Sequence, residues 1–147
     1  MDIFSKKKRS QIMSKILGKD TTPEIVIRKL LFSCGYRYRK NVSSLPGKPD
    51  IVLPKYKTGI FINGCFWHGH DNCYDFKLPS TRTEYWDNKI KNNKLRDKRN
   101  IKELKKMGFL VLVIWQCSLR NKKAREKTFV KILQKLEKQK ESLNNTI

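Results

Sequence analysis

Acidic residues are scarce in this chain. Thirteen Asp and Glu stand against 34 Lys and Arg in 147 residues, a formal net charge of +21. An imbalance of that size concerns partners and not fold. Nucleic acid is the default partner, because each phosphate neutralised releases a counterion. Charge alone fits a solvated basic surface or a ribosome-associated protein equally well. Long apolar runs are also missing. The longest, Phe109 to Trp115, falls far short of the ~20 apolar residues needed to cross a bilayer, so no membrane association is expected. The basic start, Met1 to Arg9, has no apolar signal region behind it, and a cytoplasmic location is expected by default. Internal repeats are absent, and low complexity is confined to the Lys-rich ends. There are only four cysteines. In a reducing setting these are poor disulfide candidates and better metal ligands.

The chain length fits one domain with a sizeable core. Residues 1–19 read as a basic arm, residues 20–143 as the domain and residues 144–147 as a tail. Thr22-Pro23-Glu24 opens a first helix: Thr22 caps it, Pro23 suits its first position and Glu24 favours the positive end of the dipole. Ile27, Leu30, Leu31 and Cys34 recur at helical spacing, and Gly35 stops the helix. Strands are expected over Tyr36 to Asn41, Asp50 to Leu53 and Gly59 to Ile62. A hairpin centred near Tyr56 would set Asp50 opposite Ile62. A long helix over Glu84 to Met107, an apolar strand over Phe109 to Trp115 and a basic helix over Ala124 to about Leu143 complete an α/β fold, a mixed sheet flanked by helices.

Between the hairpin and the long helix lies a loop rich in Cys, His and aromatics. Cys65, His70 and Cys73 are three of the four ligands that a structural zinc ion takes. Cys117 is the expected fourth. A helical crossover makes the strands ending near Ile62 and Trp115 parallel, so their following cysteines share one edge of the sheet. His68 and Asp71 are rival ligands, and Cys117 has the alternative of an apolar filler, as expected for Cys34.

Pro49-Asp50 at the head of a hairpin strand is how nucleases of the PD-(D/E)xK type present a metal-binding carboxylate. In those enzymes the next strand adds a carboxylate and a Lys, and Phe61-Ile62-Asn63 offers neither. The Ile62 carbonyl could instead join Asp50, phosphate oxygens and water around magnesium. His68 suits a general base or proton shuttle. Glu24 reads first as a helix cap, and Asp97 as a salt-bridge partner of a nearby Arg or Lys.

Ser44-Leu45-Pro46-Gly47-Lys48-Pro49-Asp50, Gly64-Cys65-Phe66-Trp67-His68, Cys73-Tyr74-x-Phe76-Lys77-x-Pro79, Thr81-Arg82-Thr83-Glu84, Arg96-Asp97 and Trp115-x-Cys117 stand in register across most of the chain. Together they resemble the very-short-patch repair (Vsr) endonucleases. The resemblance implies a fold related to type II restriction enzymes. It also implies a monomer that makes a magnesium-dependent nick 5′ to the mispaired T of a T:G mismatch in double-stranded DNA. The family's lesion arises by deamination of 5-methylcytosine, which links it to a DNA cytosine methyltransferase. By position, Asp50 is then the catalytic metal-binding carboxylate, His68 the catalytic histidine and Glu24 a supporting group. Cys65, His70, Cys73 and Cys117 hold zinc, and Phe66, Trp67 and Trp86 form a wedge entering the DNA stack. Two departures stand out. Ile62-Asn63 occupies the place of a frequent Thr-His pair, which predicts a slower reaction or a dispensable role for that imidazole. One extra residue lies within Gly69 to Asn72.

Two rival functions share the charge and the cysteines. A non-catalytic zinc-bearing DNA-binding module has no need of Asp50 or His68. A restriction or homing nuclease of the same fold would cut matched duplex as readily as mispaired duplex.

Overall fold

The computed structural model describes residues 22–145 and the isolated position Lys7. The expected arm over residues 1–19 therefore lies outside the described residues, apart from that position. Helix α1 (Pro23–Ser33) begins as expected: the Thr22 hydroxyl accepts from the Ile25 N–H, and Pro23 fills the first turn. Gly35 follows with φ +86°, a conformation in which a side chain is disfavoured. Strand β1 is only Arg39–Lys40, shorter than the expected Tyr36–Asn41. Tyr36 is instead buried in the core, and Asn41 turns the chain with φ +49°.

Strands β2 (Ile51–Leu53) and β3 (Thr58–Asn63) form the antiparallel hairpin. Its register pairs Ile51 with Ile60 and Leu53 with Thr58, one residue away from the register expected from a centre at Tyr56. The connection is the 3₁₀ turn Pro54–Tyr56 plus Lys57 in the left-handed region, so its centre falls between two residues. Helix α2 (Thr83–Lys106) crosses to β4 (Leu110–Trp115), which pairs parallel with β3 from Thr58↔Leu110 to Asn63↔Trp115. Helix α3 (Lys122–Asn144) closes the fold and runs one residue into the expected tail. The sheet order is β1-β2-β3-β4.

Alternation along the strands decides the layers. Ile51, Leu53, Ile60, Leu112 and Ile114 share one buried cluster with Val26, Ile27, Leu30 and Leu31 of α1 and Phe129, Ile132, Leu133 and Leu136 of α3. Helix α2 covers the other face, where a β-carbon at Gly59 would stand 3.0 Å from Leu104 Cδ2. Burial of each such aliphatic side chain stabilises the fold by roughly 1.5–3 kcal/mol. The consequence for function is positional. The start of β2 and the ends of β3 and β4 meet at one edge of the sheet, and the Cys- and His-bearing loop leaves from that edge. Among the described residues, no helix is long and apolar enough to cross a membrane.

Candidate active site and metal centre

The head of β2 and the tail of β3 build the first half of the site. Asp50 Oδ2 accepts the Ile62 N–H at 2.7 Å. In an extended residue the N–H and C=O leave the strand on the same side, so the Ile62 carbonyl faces the Asp50 side of β3. Burial pushes the Asp50 carboxyl above its usual value. The Ile62 N–H and His68 pull it down, and Glu24 pushes it up. That opposition places Glu24 within electrostatic reach of Asp50, although its own hydrogen-bond partner is Arg28 at 3.4 Å, one turn along α1. A half-buried carboxylate carrying this cost is a group that a cation would relieve.

The second half comes from the loop and from α2. His68 Nδ1 lies 2.6 Å from Asp97 Oδ2. A carboxylate only accepts, so the ring proton sits on Nδ1, and Nε2 is the nitrogen left for other work. Asp50, Ile62, Asn63, His68 and Asp97 all line one open cleft of ≈ 170 Å³, joined by Lys48 and Arg96. Asn63 is buried there, 7% exposed. Among the described residues, Asp97 therefore pairs with no nearby Arg or Lys. It orients a histidine 29 residues away in sequence, a partnership that helical spacing could not reveal.

Beyond the cleft, the loop gathers a second constellation. One ligand atom each from Cys65, His70, Cys73 and Cys117 lies within 4.8 Å of the other three. The parallel register explains how Cys117 arrives: Asn63 sits beside Trp115, and each chain turns into the cluster two residues later. His68 and Asp71, the rival ligands, are engaged elsewhere, His68 with Asp97 and Asp71 with Lys94 at 2.6 Å. Trp115 stacks on the His70 ring, centroids 4.0 Å apart and planes 8° from parallel, and Arg120 ties the loop at Asp75. Desolvation pushes the Cys65 thiol up and, with Cys65 and Cys73 beside it, carries Cys117 up to about 12. Cys73 is desolvated too, but the Asp75 N–H and its two sulfur neighbours draw it below its usual value. Sulfurs this close cannot all ionise without a counter-charge. The cluster could therefore hold a metal ion, and its donor set of three sulfurs and one imidazole suits a tetrahedral, closed site.

The third constellation is aromatic. Phe66 lies 5.3 Å from Trp67 and 5.5 Å from Trp86, and Trp67 lies 5.7 Å from Trp86, centroid to centroid. Trp67 is 50% exposed, whereas Phe66 and Trp86 are partly buried. Asn93 Nδ2 donates to the Trp67 carbonyl at 2.9 Å and fixes the loop to α2.

The profile of the DNA mismatch endonuclease Vsr family matches residues 1–75. The sequence is 52% identical over 117 residues to the type II nicking enzyme V.NmeAIP of Neisseria meningitidis, across 80% of this chain and 83% of that protein. It is 44% identical over 117 residues to the DNA mismatch endonuclease Vsr of Escherichia coli K12, across 80% of this chain and 74% of that protein. It is likewise 44% identical over 117 residues to the type II nicking enzyme V.XorIIP of Xanthomonas oryzae pv. oryzae, across 80% of this chain and 85% of that protein.

The chain belongs to the Vsr DNA mismatch endonuclease family. It is accordingly a DNA endonuclease of mismatch repair, and the mixed four-stranded sheet with three long helices found among the described residues is a restriction-endonuclease-like α/β fold. In this Vsr-family chain the expected cleft residues Asp50, Ile62 and His68 come together, while Glu24 does not line the cleft and acts on Asp50 only through its charge. The four expected cysteine and histidine ligands form a separate cluster, and the three expected wedge aromatics form one patch. Sequence reasoning missed Asp97 as the partner of His68, and Lys48 and Arg96 as cleft residues. All three lie inside the stretches that carry the family resemblance, which was the available signal.

Proposed function

We propose that this Vsr-family endonuclease nicks one strand of duplex DNA 5′ to the mispaired T of a T:G mismatch, in a magnesium-dependent reaction, with a structural zinc ion pinning the loop that presents the catalytic histidine. The observation that carries the reading is the convergence, in one open cleft, of the Asp50–Ile62 pair and the His68–Asp97 pair. A DNA-binding module has no use for a half-buried carboxylate beside a carboxylate-oriented histidine.

Asp50 and the Ile62 carbonyl would hold magnesium, which when bound lowers the pKa of water and stabilises the departing oxygen. His68, with its Nδ1 proton committed to Asp97, presents Nε2 to take a proton from the attacking water. Asp97 keeps the ring in that tautomer while Nε2 takes the proton. Glu24 supports the cleft electrostatically from the first turn of α1. Cys65, His70, Cys73 and Cys117 would hold zinc, and the pinned loop fixes both His68 and the Phe66-Trp67 pair. Phe66, Trp67 and Trp86 form a wedge whose entry costs a few kcal/mol of unstacking per step, least at a mispaired step. That difference supports mismatch preference without contacts to every base edge.

The link to a DNA cytosine methyltransferase and the monomeric state belong to the same proposal. The direct test is purified protein on T:G and matched duplexes, with magnesium or with chelator. A single nick 5′ to the T, on the mispaired duplex and with magnesium, is expected. Equal cutting of matched duplex would favour a restriction-type nuclease, and binding without cutting would favour a DNA-binding module.

A further inference from the structure

Strand β3 ends in Phe61-Ile62-Asn63 and carries no cation into the cleft. Two cations line it from elsewhere: Lys48, from the loop before β2, and Arg96, on α2 next to Asp97. Both are exposed. Neither is among the ion pairs of the described residues, which in this part of the molecule join Arg28 to Glu24, His68 to Asp97 and Lys94 to Asp71. The cleft carboxylates are engaged without them, Asp50 by the Ile62 N–H and Asp97 by His68.

The backbone under Lys48 is unusual. Gly47 and Lys48 are consecutive left-handed residues, with φ +77° and +50°. A β-carbon disfavours that region, so a lysine rests there only where its surroundings hold it. Those surroundings are visible. A β-carbon on Gly47 would stand 2.9 Å from Asn100 Cβ on α2 and 3.0 Å from the Phe61 ring on β3. The loop is pressed between a helix and a strand, and the Lys48 N–H closes its turn on the Leu45 carbonyl at 3.0 Å. Strain at this point fixes a lysine two residues before Asp50 at the rim of the cleft.

We propose that Lys48 is a catalytic residue that holds a non-bridging oxygen of the scissile phosphate, with Arg96 binding the same or the adjacent phosphate, so that the loop before β2 supplies the positive charge that β3 lacks. This rests on the Asp50-centred reading above. As water attacks phosphorus, negative charge grows on the non-bridging oxygens. A cation held there gains more in the transition state than in the bound substrate. An ordinary backbone contact gains equally in both and affects affinity alone.

The experiment is single-turnover nicking by the full chain at saturating T:G duplex, beside DNA affinity at several salt concentrations. The variants are Lys48→Ala, Lys48→Asn, Lys48→Arg, Arg96→Ala and Asp50→Ala. Asn tolerates the left-handed backbone, so Lys48→Asn removes the charge while sparing the fold. Lys48→Asn and Lys48→Ala should lower the saturated rate on the order of 10²-fold, and Lys48→Arg should recover most of it. The affinity of the neutral variants should fall no more than loss of one phosphate contact implies, a salt slope shallower by about 1. Arg96→Ala should show a smaller loss of rate. Sulfur in place of one non-bridging oxygen of the scissile phosphate should slow the wild type, and slow Lys48→Asn less. A full saturated rate in Lys48→Asn, or a loss confined to affinity, overturns the inference. If Asp50→Ala is inert while Lys48→Asn is fully active, this inference alone fails. If Asp50→Ala still nicks, the underlying reading fails as well.

Discussion

The cleft and the cysteine cluster leave the same edge of the sheet, yet they are built in opposite ways. The cluster closes on itself: its four donor atoms lie within 4.8 Å of one another, and Trp115, Arg120 and Lys94 tie down the loop around it. The cleft is open, and its groups come from the residue before β2, the end of β3, the loop and α2. Asp50 has one oxygen bonded to the Ile62 N–H, and His68 has one nitrogen committed to Asp97. Donors that converge on one point suit a closed site, and groups that converge on an open cleft suit a site that works on something brought to it. The two are coupled through the loop, since His68 sits between the cluster residues Cys65 and His70.

Perturbing the cluster should therefore cost fold first, and perturbing the cleft should cost rate first. Cys117→Ser should release the metal and lower the thermal midpoint together, because metal binding and folding are linked. The loss should amount to several kcal/mol of stability, on the order of the larger effects of single substitutions. Cys34, which packs against the hydrophobic core away from the cluster, is the control. Full metal content in Cys117→Ser with loss in Cys34→Ser would show the ligand assignment to be wrong. Metal analysis after dialysis, with a melting curve on the same sample, reads both quantities.

The cleft should give the mirror image. His68→Ala should keep its metal and its melting curve while the single-turnover rate falls by roughly 10²–10⁴-fold. Asp97→Asn should do the same to a lesser degree, because it disturbs the tautomer and leaves the ring in place. A rate loss that tracks loss of metal would make His68 a member of the cluster and dissolve the distinction.

Trp67 tests the border between the two regions. It is the half-exposed member of its aromatic trio, so Trp67→Ala should cost little of the thermal midpoint. It should reduce the ratio of nicking rates on T:G and T:A duplexes by about tenfold or more, if unstacking differences of a few kcal/mol underlie the preference. A collapsed midpoint with an unchanged ratio would return Trp67 to the core. The smallest effect is expected for Asn63→His, a gain in rate of a few-fold on the general acid–base scale. An unchanged rate would mark that position as dispensable.

Local signals sufficed wherever the chemistry was local. Thr22-Pro23 and Gly35 placed α1, and the apolar run through Trp115 placed β4. The crossover argument brought Cys117 to the level of Cys65, since it needs only the order of elements and the parallel pairing it enforces. Three features were not legible. The hairpin register was misjudged by one residue, because Lys57 in a left-handed turn moves the centre by half a residue. The Tyr36–Asn41 strand shrank to Arg39–Lys40 because Tyr36 turns into the core and Asn41 turns the chain. Helical spacing offers Asp97 only partners on its own helix, whereas its partner comes from a loop whose path depends on tertiary structure. Spacing along one element reveals the face a residue occupies, and the partner opposite that face comes from the rest of the fold.

In the proposed function the Asp50 cleft performs the chemistry, while phosphate contacts outside it and the aromatic patch do the holding. The most direct test is Asp50→Ala on a T:G duplex with magnesium, with nicking and DNA affinity measured on the same preparation. Loss of several kcal/mol of transition-state stabilisation corresponds to a rate at least about 10³-fold lower. Affinity should stay close to that of the wild type, and metal content and thermal midpoint should be unchanged. A nick that persists at the wild-type rate in Asp50→Ala would contradict the account, and the catalytic centre would have to be sought outside this cleft.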